Sequence, residues 1–198
     1  LVDALDAEDG TRMTPQQVRD EVMTPFLAGH ETTATALSWT WYLLAGHPDV
    51  EARLGDELGT VLEGSAPSTS DLSRLRYADT AVTESMRLSP PAYGPGRQAS
   101  RATAISGQPV ARSDIAVGPT YVMQRDARWF KEPEAFHPER WTGDLARRLP
   151  RFAHFPFGDG PRQCIGNGFA TITVLLPATI AQRFWLHSTF TTVRPRPS

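Results

Sequence analysis

The sequence predicts a mainly α-helical fold with a minor β-sheet, and three observations carry that prediction. Apolar residues recur three and four apart through three stretches before residue 89. From Ala92 to about Gln124 the texture changes to short extended pieces broken by glycine and proline. After residue 125 prolines and aromatics crowd a segment with no period, until helical spacing returns at Cys164.

Taken in order, residues 1 to 13 are polar and acidic and read as a loop. Thr14-Pro15-Gln16-Gln17 then supplies a cap residue, a proline at the first helical position and a glutamine at the third. Apolar residues follow at Val18, Val22 and Phe26 and continue through Trp39, Leu43 and Leu44, until His47-Pro48 ends the run. A helix of about 30 residues spans roughly 45 Å. Pro25 lies inside it with Gly29 one turn on, so a kink or an opened turn is expected there. Pro48 starts a second helix, with Val50, Leu54, Leu58, Val61 and Leu62 on one face. Residues 64 to 70 (GSAPSTS) form a linker. A third helix runs to about Leu88, with Leu75, Ala78, Val82 and Met86 inward, and Ser89-Pro90-Pro91 stops it. Ala102 to Ile105 and Ile115 to Val122 read as small strands, and residues 125 to 163 as an irregular meander. The last helix is expected from Cys164 to about Phe184, interrupted by Pro177.

Composition removes several classes of function. The 198 residues suffice for a full-sized domain or a substantial piece of a larger one. Hydrophobic residues at 40% and charged residues at 21% exclude wholesale disorder. A net charge of −2 gives no general reason to bind nucleic acid or an anionic membrane. No stretch approaches the roughly 20 apolar residues that span a bilayer. A single cysteine excludes a disulfide scaffold. The chain opens Leu1-Val2-Asp3, without initiator methionine or signal segment, which suggests a removed start or a part of something longer.

That cysteine lies in the most informative stretch, Phe157-Gly158-Asp159-Gly160-Pro161-Arg162-Gln163-Cys164-Ile165-Gly166. A lone cysteine is by default a small buried hydrophobe. Here Gly158 and Gly160 let the backbone turn tightly, Arg162 adds positive charge two residues away, and a helix is expected to start at the cysteine. Helix N-termini and nearby cations both favour the thiolate, so the loop suits a nucleophile or a metal ligand. A dinucleotide fingerprint fails because Gln163 stands where glycine is required. A zinc site fails because no second cysteine exists and the five histidines are scattered.

The segment resembles the FGxGxRxCxG signature of the cytochrome P-450 family at Phe157, Gly158, Gly160, Arg162, Cys164 and Gly166. The resemblance implies that Cys164 is the thiolate ligand of a haem b (iron protoporphyrin IX), with Phe157 against that side of the ring and Arg162 partnering a propionate. Three further constellations follow the family's order. Glu84-Ser85-Met86-Arg87 alone would be a surface ion pair worth a few tenths of a kcal/mol. The family joins such an ExxR pair to the arginine of a later PER motif, found here as Pro138-Glu139-Arg140, in a buried structural network of Glu84, Arg87 and Arg140. Ala28-Gly29-His30-Glu31-Thr32-Thr33 fits the family's [AG]Gx[DE]T[TS] pattern. A zinc-protease HExxH starting at His30 fails at Ala34. By resemblance, Thr32 bonds the oxygen bound at the haem and Glu31 relays protons to it. Arg97 resembles a second propionate partner.

The resemblance covers nearly the whole chain, read as residues 1–198 of a partial domain: the C-terminal haem-binding half, with the N-terminal half absent. It implies a monooxygenase that activates O₂ reductively and inserts one oxygen atom into a small apolar organic substrate. Electrons would come from NAD(P)H through a separate ferredoxin- or flavoprotein-type partner, since no flavin or iron–sulfur motif is present. A cytoplasmic location is expected, with an anchor in the missing part left open. The alternative is a non-catalytic truncated remnant acting as a structural or partner-binding piece. Departures from the family pattern favour it: Gln124 where many relatives carry a propionate-binding histidine, Thr173 for a glutamate, Ala111 and Ser113 for a turn's Pro and Gly, and Pro177 in the proximal helix.

Overall fold

The computed structural model describes Leu5 and residues 10–173. Five α-helices are bounded within it: α1 (Pro15–Ala45), α2 (Pro48–Leu62), α3 (Arg76–Leu88) and the single turns α4 (Thr120–Met123) and α5 (Leu145–Arg148). Residues 167–173 are helical as well. Two antiparallel ladders complete the fold, β1 (Gly96–Gln98) with β4 (Ile115–Val117) and β2 (Thr103–Ile105) with β3 (Gln108–Val110).

The start of α1 is a capping box: Thr14 Oγ1 accepts from the Gln17 N–H, and the Gln17 side chain returns to the Thr14 N–H. The helix runs on through Pro25 for 31 residues. Pro25 removes one backbone donor on an exposed stretch, where water can serve the freed carbonyl, so the helix is not ended there. The inward face predicted for α1 is only half present. Ala36, Thr40 and Leu44 are buried, whereas Val22, Phe26, Leu27 and Trp39 are exposed. Periodicity marks an apolar face, but burying it needs a partner, and the described residues supply one only for the second half of α1.

The core gathers that half of α1 with α2 and α3. Val50, Leu54, Leu58 and Leu62 repeat every fourth residue along α2 and meet Leu75, Ala78, Val82 and Met86 of the α3 segment. No residue at the start of α3 caps it. Instead Glu57 of α2 accepts the Tyr77 and Ala78 N–H groups at 2.7 and 2.9 Å, which neutralises the helix start from a neighbouring element.

Two expectations are corrected. The strand read over Ile115 to Val122 ends at Val117, because Gly118-Pro119 turns the chain into α4. The last helix begins at residue 167, three residues after Cys164, because the chain first makes a turn through Ile165 and Gly166. The expected interruption at Pro177 lies outside the described residues. No helix among the described residues is long and apolar enough to cross a membrane.

Candidate functional site

The cysteine loop is built by turns. Gly158 and Gly160 both take φ of +71°, a left-handed backbone that a side chain at either position would strain. The Gly158 N–H donates to Phe155 O at 2.9 Å, the Gln163 N–H to Gly160 O at 3.0 Å, and the Cys164 N–H to Phe157 O at 2.9 Å. A 3-10 turn (Gly160–Arg162) carries the chain between them. Asp159 opens that turn by accepting the Gly160 N–H and is gripped by Arg151, with Nε at 2.7 Å and Nη2 at 3.0 Å. Sequence reasoning missed this clamp; its signal is an arginine eight residues ahead of the only carboxylate in the loop. The Arg151 bond and the Gly160 N–H hold the Asp159 carboxyl below its ordinary range.

Cys164 is exposed at the end of the loop, and its sulfur has no hydrogen-bond partner among the described residues. Ile165 beside it is fully exposed and Phe169 is 77% exposed. Arg162 makes no ion pair among the described residues, and Arg97 on β1 bonds only the carbonyl of its neighbour Gly96, at 2.7 Å. Phe157 packs back against the core and lines an open cleft of about 1050 Å³ between α3, the Pro138–Trp141 turn and residues 167–172.

Behind this loop lies a buried polar cluster on Glu84. Arg87 donates Nε and Nη2 to its two oxygens, both at 2.9 Å. Arg140 Nε and the His137 N–H add bonds at 2.9 and 3.1 Å, and Trp141 Nε1 one at 2.7 Å. Arg87 uses its remaining donors on the carbonyls of Gln124, Pro133 and Ala135. Glu84 and Arg87 are wholly buried and Arg140 nearly so. Burial by itself would raise the Glu84 carboxyl, but the Arg87 hydrogen bonds and charge, with His137 N–H and Arg140, outweigh it and hold the group ionised below its ordinary range. The Trp141 donor is a member that the sequence motif did not announce.

Gln124 belongs to the same interior. Its amide donates to the Met86 and Arg87 carbonyls at 3.0 and 3.1 Å and accepts the Phe155 N–H at 3.0 Å. Its side chain therefore ties the end of α3 to the segment leading into the cysteine loop, and does not face outward as a propionate ligand would.

Glu31 and Thr32 stand on the exposed half of α1. Thr32 Oγ1 donates to the Ala28 carbonyl one turn back, at 2.5 Å. The structure thus brings Glu84, Arg87 and Arg140 together, and sets Phe157, Arg162 and Cys164 on one loop. Glu31, Thr32 and Arg97 form no hydrogen bond or ion pair with that loop.

A test of the implied haem follows from the donor set. Among the described residues the Cys164 sulfur stands free, flanked by exposed apolar side chains, and the guanidinium groups of Arg97 and Arg162 lack counter-ions. A large flat apolar group that takes one axial ligand and carries two carboxylates fits those properties. The described residues hold no group of three or more His, Cys, Asp or Glu suited to a bare metal ion.

The sequence model of the family described as "Cytochrome P450" matches residues 1–197. Cyclooctatin synthase of Streptomyces melanosporofaciens is 41% identical over 100% of this chain and 43% of its own length. Cyclooctat-9-en-7-ol 5-monooxygenase of the same organism is 39% identical over 94% of the chain and 41% of its own length. Among solved structures, the cytochrome P450DA heme domain superposes with a TM-score of 0.83 at 30% identity, covering 91% of this chain and 41% of that one. The chain therefore spans about two fifths of the length of the relatives it matches.

Proposed function

The chain belongs to the cytochrome P450 family, and from that premise we propose that it forms the C-terminal, cysteine-bearing half of a haem-thiolate monooxygenase. The observation that carries the reading is the exposed Cys164, unpartnered among the described residues, on a loop braced by two left-handed glycines and approached by a segment that Gln124 ties to the end of α3. Iron protoporphyrin IX bound through Cys164 would supply reductive activation of O₂ and the transfer of one oxygen atom to an organic substrate.

This chain's own residues have the following parts. Cys164 donates a thiolate, and the turns around it fix where the sulfur stands. Arg162 and Arg97, each free of a competing acid among the described residues, would neutralise the carboxylates of that group. Phe157 supplies apolar cover on the cysteine side. The Thr32 hydroxyl directs its own hydrogen to Ala28 O, which leaves the lone pairs on Oγ1 to accept a hydrogen bond. Glu31, exposed one residue earlier, takes protons from water and hands them on at that hydroxyl. Electrons come from NAD(P)H through a separate ferredoxin- or flavoprotein-type donor, and the substrate is a small apolar organic molecule. One relative, the cyclooctat-9-en-7-ol 5-monooxygenase of Streptomyces melanosporofaciens, supports that substrate class.

The test is the carbon monoxide difference spectrum of the reduced, haem-loaded protein. A strongly red-shifted Soret band in the parent, moved to the ordinary position in Cys164→Ser, is the expected result. An ordinary band in the parent, or no haem uptake, overturns the reading.

A further inference from the structure

His154 has no part in the chemistry above, yet it sits at a junction. It lies on the segment that leads into the cysteine loop. Its ring rests on the Trp141 indole with centroids 4.6 Å apart, and that indole donates its N–H to Glu84. Nε2 is sealed from solvent and has no hydrogen-bond partner among the described residues. The next residue is held by Gln124 through the Phe155 N–H, and the Phe155 carbonyl accepts the Gly158 N–H where the loop begins. His154 is therefore wedged between the Glu84 cluster and the first turn of the loop that presents Cys164.

We propose that His154 is an acid-sensitive latch on the cysteine loop: neutral, it keeps residues 153–157 docked on Trp141, and protonated, it releases them. The charged groups that act on the ring are Glu84 and Arg87, both on α3. On the Pro138–Trp141 turn packed against it, Trp141 is neutral and Arg140 has its guanidinium on Glu84. Two guanidinium groups already share one carboxylate, so a third cation would lack a counter-charge. A proton on Nε2 would also lack an acceptor among the described residues. Burial above all, with Arg87 adding to it against the pull of Glu84, lowers the imidazole from its ordinary 6.5 to about 4. A group whose folded value is depressed in this way binds its proton more readily once the segment opens. Stability of the docked segment is accordingly complete above pH 6.5 and is lost as pH falls from 6.5 toward 4.

The functional consequence rests on the reading of Cys164 given above, while the device itself does not, and the experiment separates the two. Amide hydrogen exchange of residues 153–164 is followed at pH 7 and pH 5 in the full chain, with and without added haem, corrected for intrinsic rates and referenced to α3. Opening that frees His154 should become about 20-fold easier over that interval in the parent. His154→Phe, which fills the space and cannot charge, should show no such change; should it fail to fold at pH 7, His154→Gln serves in its place. Unchanged protection in the parent, or an equal loss in the uncharged variant, overturns the latch. The exchange result in haem-free protein stands whatever the carbon monoxide spectrum shows.

Discussion

Glu84 accepts five N–H bonds on two oxygens with no solvent contact, from Arg87 twice, Arg140, Trp141 and the His137 backbone. A carboxylate in that position is balanced only while every donor stays. Glu84→Gln removes the charge and leaves two guanidinium groups facing an amide, so unfolding in urea should show a loss of about 3–5 kcal/mol. Arg97→Ala, on the exposed β1, should stay within about 0.5 kcal/mol. The pH sign follows from the depressed Glu84 carboxyl. Its contribution is present above its ordinary value of 4.5 and is lost as pH falls below that, as the folded state is forced to take up the proton. Glu84, Arg87 and Arg140 were legible only through the family resemblance, since the spacing of Glu84 and Arg87 alone reads as a surface ion pair. Trp141, Gln124 and His154 were not, because their roles depend on which side chains meet across loops that carry no period.

The same division appears along a single element. The cap, start and length of α1 were legible, because Thr14-Pro15-Gln17 and the proline after His47 are local chemistry. Which part of α1 is buried was not, since that depends on a partner distant in sequence. The helix therefore holds its own control: Leu44 is fully buried and Leu27 is 62% exposed. Leu44→Ala should cost about 2–5 kcal/mol and Leu27→Ala less than about 0.5 kcal/mol, both by thermal or urea unfolding of this chain. Equal costs would mean that the first half of α1 packs against something within the chain. Glu57 shows the opposite case, an element whose start is completed by a residue on another helix, which no reading of the α3 segment alone could find. The strand assignment over Ile115 to Val122 failed for a local reason, the Gly118-Pro119 turn being outweighed by its apolar neighbours.

Across the whole molecule, the buried core is concentrated in α2, α3 and the second half of α1, while Ile165, Phe169, Phe26 and Tyr93 present large apolar surfaces outward. A ligand that binds only the folded chain raises its unfolding free energy by mass action. Haem at about 100 times its dissociation constant should add about 2.7 kcal/mol to unfolding of the parent. Cys164→Ser should show a smaller increment at the same haem concentration, read by calorimetry, and equal increments would mean that the sulfur contributes nothing to retention. Mainly helical architecture with small antiparallel ladders was legible as a class. The placing of the ladders relative to the core was not, since three-residue strands exposed on almost every position carry no alternation to read.

Those ladders differ in one respect. The β2–β3 hairpin turns through Ser106 and Gly107, both left-handed, and is closed at its base where the Ala99 N–H donates to the Asp114 carbonyl and the Ser113 N–H donates to the Ala99 carbonyl. Almost everything between those clips is exposed and none of it enters the core. The hairpin is thus a closed excursion, leaving and returning to the same point on the β1–β4 ladder. Lengthening, shortening or replacing it leaves the register of β1 on β4 unaltered, and touches none of the bonds by which Arg87 and Arg140 hold Glu84. It is the place where this chain can gain or lose sequence, by drift or by the insertion of a tag, while the cysteine loop stays where it is.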